Sequence, residues 1–167
     1  MEINELYLKT AFSCMACDGD IADEEVGLVK EFVKSSSFFS GLDVEAQLNG
    51  YIAEINEKGQ RFLSEYITNV ASFGLSEQQE LDLAQIAIKM IEADNKIEYS
   101  EICFFKKIRA KLSVSDDKLL SIFKDETLFD KFPEVEPEDF LLPDIIEDDA
   151  IDWNVSFNDI KLDFKQY

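Results

Sequence analysis

Two stretches decide how this chain folds. The first is Ala16-Cys17-Asp18-Gly19-Asp20-Ile21-Ala22-Asp23-Glu24-Glu25-Val26. The second, offset by 76 residues, is Glu92-Ala93-Asp94-Asn95-Lys96-Ile97-Glu98-Tyr99-Ser100-Glu101-Ile102. Both read Asp, then Gly or Asn, one residue, Ile, three residues, Glu. Each follows an apolar segment and precedes an amphipathic one, so the similarity marks a repeated supersecondary unit. Gly19 and Asn95 are the residue types that most readily take the left-handed conformation ending a helix. Ile21 and Ile97 then drop into the core. Glu25 and Glu101 fall in the first turn of the next helix, where the macrodipole favours negative charge and a glutamate reaches back to free N–H groups. Asp18 and Asp94 end the preceding helix and accept from the turn. The chain therefore contains two helix–turn–helix corners.

Outward from the corners, apolar spacing predicts seven helices. They lie near 3–17, 23–34, 43–56, from Phe62 to near Gly74, 77–92, 99–112 and 116–126. The first and fifth are apolar on most sides, as helices central to a domain are. Ser76 with Gln79 forms a capping pair opening the fifth. Gly59 interrupts the chain between the third and fourth. The expected architecture is all-α, a bundle of about seven helices over 1–132. An acidic extension over 133–167 carries eleven acidic residues against Lys161 and Lys165. Within it Ile151, Trp153, Val155 and Phe157, then Ile160, Leu162 and Phe164, alternate with period two. That spacing suits a short β-hairpin or an extended strip, either docked on the bundle or offered to a partner.

Composition excludes several functions. The 167 residues hold 36 Asp+Glu against 16 Lys+Arg, a formal charge of −20, and no histidine. That charge opposes a nucleic-acid backbone, whose neutralisation by Lys and Arg drives non-specific affinity. Without histidine there is no Ser-His-Asp or Cys-His catalysis and no imidazole metal ligand. No apolar run reaches the roughly 18 residues of a membrane span, and the start of the chain lacks a basic signal region. Three cysteines agree with a reducing compartment, so a cytoplasmic protein is expected. Cys14-Met15-Ala16-Cys17 sits at the C-terminal pole of its helix, the wrong end for an activated thiol, and reads as core.

The corners carry a second reading beside capping. Asp18 to Glu25 reproduces the second half of an EF-hand loop, but Cys14 and Ala16 stand where its first ligands belong. Met90 and Glu92 stand there in the second copy. An oxygen site for Ca²⁺ or another divalent cation remains open, with Asp18, Asp20, Glu25, Asp94 and Glu101 as candidate ligands, if the two corners converge. Glu92 is a further candidate.

In these paired motifs the chain resembles the TerB-like domains of tellurite-resistance operons, also found at the start of DjlA-type co-chaperones. The resemblance spans roughly residues 1–130 and rests on the two corners. It implies a bundle of about seven helices, with divalent-cation ligands at Asp18, Glu25, Asp94 and Glu101. It also implies a role in tellurite and other stress responses or phage defence, within complexes near the inner face of the membrane. Two departures stand out: Lys96 sets a cation beside the second corner, and Ala22 replaces a hydroxyl cap.

The expected function is a non-enzymatic binding or scaffolding module in a stress-response or phage-defence assembly. Its expected partner is a protein, basic or membrane-associated, with no nucleic acid and no direct membrane insertion. The competing class is a metal-independent adaptor whose acidic tail binds a basic partner. A metal-dependent hydrolase requires an open coordination position and a cleft, and the sequence displays neither.

Overall fold

The computed structural model describes residues 1–21, 23–93, 97–141 and 160–164. It is all-helical. Helices α1 (Ile3–Ala16), α2 (Asp23–Ser35), α3 (Val44–Lys58), α4 (Gln60–Ser72), α5 (Glu77–Glu92), α6 (Tyr99–Arg109) and α7 (Asp116–Phe123) match the predicted series. A single-turn α8 (Leu128–Lys131) and 3₁₀ turns at Ser37–Phe39 and Pro137–Phe140 add to it. Among the described residues no helix is long and apolar enough to cross a membrane.

Helix α1 is the spine. Every residue from Leu6 to Ala16 is buried, because α3, α4, α5 and α6 all pack around it, with α5 as its principal partner. Its polar residues are accommodated singly. Thr10 Oγ1 donates to the Leu6 carbonyl at 2.8 Å, so it accepts the Tyr66 hydroxyl at 2.7 Å. Lys9 Nζ reaches Asn69 Oδ1 at 2.9 Å and lies 5.0 Å from the Phe62 ring centre. Burial lowers its pKa, against the pull of Glu54 and Glu65.

The boundaries follow local chemistry. Ser76 Oγ accepts the Gln79 N–H while Gln79 Oε1 accepts the Ser76 N–H, the reciprocal capping expected for α5. Gly59 has φ +59° and ψ −134°, which lets α3 stop and α4 begin within one residue. Phe38 and Phe39 turn inward. Phe39 is buried against Phe32, and Phe38 meets Tyr7 edge-on at 5.4 Å.

Glu80 sits on the buried stripe of α5 with Ala84, Ala87 and Ile91. Its carboxylate accepts the Ser113 N–H on both oxygens and the Val114 N–H on Oε2, all at 2.9 Å. This buried anion fixes the turn between α6 and α7. Beyond Pro133, Phe140 packs at 0% exposure among Phe105, Phe123 and Phe129. Residues 160–164 lie along α3, with Phe164 at 0% exposure. Of the short hairpin or extended strip read over 151–164, residues 151–159 lie outside the described residues.

Candidate functional site

At the first corner, α1 ends at Cys17 and Gly19 turns the chain with φ +87°, its N–H bonded to the Ala16 carbonyl at 3.0 Å. Asp18 Oδ1 accepts the Asp20 N–H at 3.1 Å, and Asp20 Oδ1 accepts the Ile21 N–H at 2.9 Å. Ile21 is buried, and Glu25 follows it in the first turn of α2, also buried. Asp18, Gly19 and Ile21 take the roles the spacing assigns, and Glu25 takes its expected place in the first turn.

The second corner repeats them where it is described. Ile97 packs against the core. Glu101 is buried, and its Oε2 accepts the Glu98 N–H at 3.2 Å, closing a capping box at the start of α6. Asp94, with Asn95 and Lys96, lies outside the described residues. Glu92 points elsewhere: Oε1 accepts the Thr127 hydroxyl, and Oε2 lies 4.0 Å from Lys89 Nζ.

The electrostatics of the Cys-x-x-Cys segment show how the corners are placed. Cys14 and Cys17 are buried, and Cys17 Sγ donates to the Cys14 carbonyl at 3.2 Å. Burial is the first cause that pushes the Cys17 thiol well above its ordinary pKa. Cys14, Glu101, Asp18 and Glu25 add to it in that order. Burial likewise raises Cys14, with Glu101 as the second cause. Burial above all keeps the Cys17 thiol protonated and unreactive, and carboxylates from both corners add to it.

Of the candidate ligands, Asp18, Glu25 and Glu101 add to the rise in the Cys17 pKa, while Asp20 stays exposed at the turn. Among the described residues, no group of three or more His, Cys, Asp or Glu side chains is close enough to hold a metal ion. Glu25 and Glu101 suit a hard cation by chemistry, being carboxylate oxygens held at helix starts. As placed, Glu101 serves first as a cap.

Three functional-looking side chains escaped the pattern reading. Glu80 interrupts an apolar stripe, which is itself the signal of a buried partner. Asn49 and Asn56, two turns apart on α3, are poor helix formers on one face. Asn56 brackets Ile160, accepting its N–H at 2.7 Å and donating to its carbonyl at 2.9 Å. Asn49 accepts the Phe164 N–H at 3.0 Å and donates to Asp163 Oδ1 at 2.8 Å. Comparison of the chain with protein-family models, with curated proteins and with solved structures finds no match.

Proposed function

We propose that this chain is a non-enzymatic binding module, TerB-like in its paired acidic corners, that works as a scaffold in a stress-response or defence assembly and takes a divalent cation at those corners. One observation supports this reading above others: Asp18 and Glu25 of the first corner and Glu101 of the second act together on the buried Cys17 thiol. A cation drawing these carboxylates together would tie α1, α2 and α6 at one end of the bundle, with Asp94 as the further ligand implied by the repeat. The exposed acids of the first corner, Asp20, Asp23 and Glu24, face solvent, where they suit a basic protein surface.

Calorimetric titration of chelator-stripped protein with Ca²⁺, Mg²⁺ and Mn²⁺ tests the proposal. Saturable binding is expected in the wild type, weakened at least tenfold in Asp18→Asn and Glu25→Gln and less in Asp94→Asn, because Lys96 already lowers the affinity of the second corner. Absence of saturable binding at millimolar ion refutes the cation part and leaves the module as a metal-independent adaptor.

A further inference from the structure

The C-terminal strip is held in a way that helix packing alone does not require. Residues 160–164 alternate: Ile160, Leu162 and Phe164 pack toward the body, while Lys161 and Asp163 face solvent. The chain runs antiparallel to α3, since Ile160 meets Asn56 and Phe164 meets Asn49. The spacing matches physically. Seven helical residues rise about 10.5 Å, and four extended residues span about 13 Å. Between the two asparagines, the same face carries the buried Ile52 and the small, exposed Ala53. A side-chain carboxamide that gives a donor and an acceptor to one residue's N–H and C=O reproduces what a neighbouring β-strand supplies. Asn56 does this at Ile160, and Asn49 adds a second backbone bond four residues on. The recognition therefore reads extended backbone, with one apolar anchor at Phe164 and one carboxylate at Asp163.

We propose that the Asn49–Asn56 face of α3 is a docking groove for an extended peptide, filled in cis by residues 160–164 and exchangeable for the same residues of a second copy of this chain. A trans occupant must offer backbone N–H groups at its first and fifth residues, apolar side chains at the first, third and fifth, and a carboxylate at the fourth. A second copy meets each requirement, and exchange leaves every contact chemically unchanged. The cis segment competes at an effective concentration on the order of millimolar. Wild-type chains at micromolar concentration therefore keep their own segments.

Two complementary full-length variants test this. Asn49→Ala with Asn56→Ala breaks the groove and leaves the strip intact. Ile160→Pro deletes the N–H that Asn56 accepts and leaves the groove intact. Neither variant has a competing cis occupant, so their mixture is expected to form a one-to-one complex in sedimentation velocity, with a dissociation constant of roughly 1–100 μM. Each variant alone should keep the sedimentation coefficient of the wild type. Adding Phe164→Ala to the groove-deficient chain should abolish the complex. As a second measurement, a fluorescent peptide of residues 158–167 should bind full-length Ile160→Pro, or Phe164→Ala if the proline variant loses helicity. It should bind the wild type at least tenfold more weakly. No complex in the mixture at 200 μM, with both variants retaining wild-type circular dichroism, overturns exchange between copies. Failure of the peptide to bind either vacated groove overturns the groove itself.

Discussion

Replacing Glu80 by alanine probes a buried carboxylate that accepts from the α6–α7 turn. Its two oxygens accept from two consecutive backbone N–H groups, and those donors differ in their alternatives. Val114 is buried, so its N–H depends on the carboxylate as its acceptor. Losing a hydrogen bond to a charged acceptor there costs about 1.5–3 kcal/mol. Ser113 is exposed, so its N–H turns to solvent and adds less than about 1 kcal/mol. The expected loss for Glu80→Ala is about 2–4 kcal/mol. With a urea m-value of about 2 kcal/mol/M, the unfolding midpoint falls by roughly 1–2 M. Glu80→Gln keeps one acceptor for Val114 but sets an amide N–H₂ toward the Ser113 donor, so it should lose about 1–2 kcal/mol. Equilibrium urea unfolding followed by far-ultraviolet circular dichroism measures both. If Glu80→Ala unfolds within about 0.5 kcal/mol of wild type, the buried anion does not hold the α6–α7 turn and the reasoning fails.

Two further outcomes follow from the backbone and from the buried phenols. At Gly59 no heavy atom lies within 4 Å of an added Cβ, so Gly59→Ala meets only the backbone penalty at φ +59° and ψ −134°. It should cost about 1–3 kcal/mol by thermal unfolding, with helical content unchanged; a neutral result shows that the α3–α4 junction relaxes freely. Tyr7, Tyr51 and Tyr66 all have pKa values raised first by burial, Tyr7 to about 12 with Asp82 as a further cause. Above pH 10 the unfolded chain releases phenolic protons that the native chain retains, so the unfolded state binds fewer protons and stability falls as pH rises. Three such groups give a slope of up to about 4 kcal/mol per pH unit. Lys9, with its lowered pKa, acts in the opposite sense as a single group. Ionisation of the three buried phenols should appear together with loss of helix; tyrosinate absorbance from more than two of the five tyrosines in a chain that keeps native circular dichroism contradicts the assignment.

How much of this was readable in the sequence depends on whether the information was local. The corner at Asp18-Gly19-Asp20-Ile21 was legible because each residue's task is set by its immediate neighbours: a left-handed glycine, an Asx contact two residues on, an apolar anchor. Ser76 with Gln79 was legible for the same reason. The burial of α1 and α5 was visible in their all-round apolar surfaces. Glu80 was not, because its partners Ser113 and Val114 lie more than thirty residues away and a lone glutamate on a helix ordinarily faces water. Asn49 and Asn56 were missed likewise, since their partners are backbone atoms over a hundred residues later. Residues around Cys17 stood between these cases. The pairing of the two corners followed from the repeat, but their approach to one thiol required the packing of α1 on α5 and α6.

The position of α1 in the chain has a consequence for synthesis. The spine is made well before its principal partner α5, which ends only at Glu92. At ribosomal rates of about 5–20 residues per second, the 76 residues from Ala16 to Glu92 take roughly 4–15 s. For that interval the surface formed by Leu6, Leu8, Phe12 and Met15 has no native cover from α5, so the nascent chain presents a chaperone with its most apolar helix before the fold can claim it.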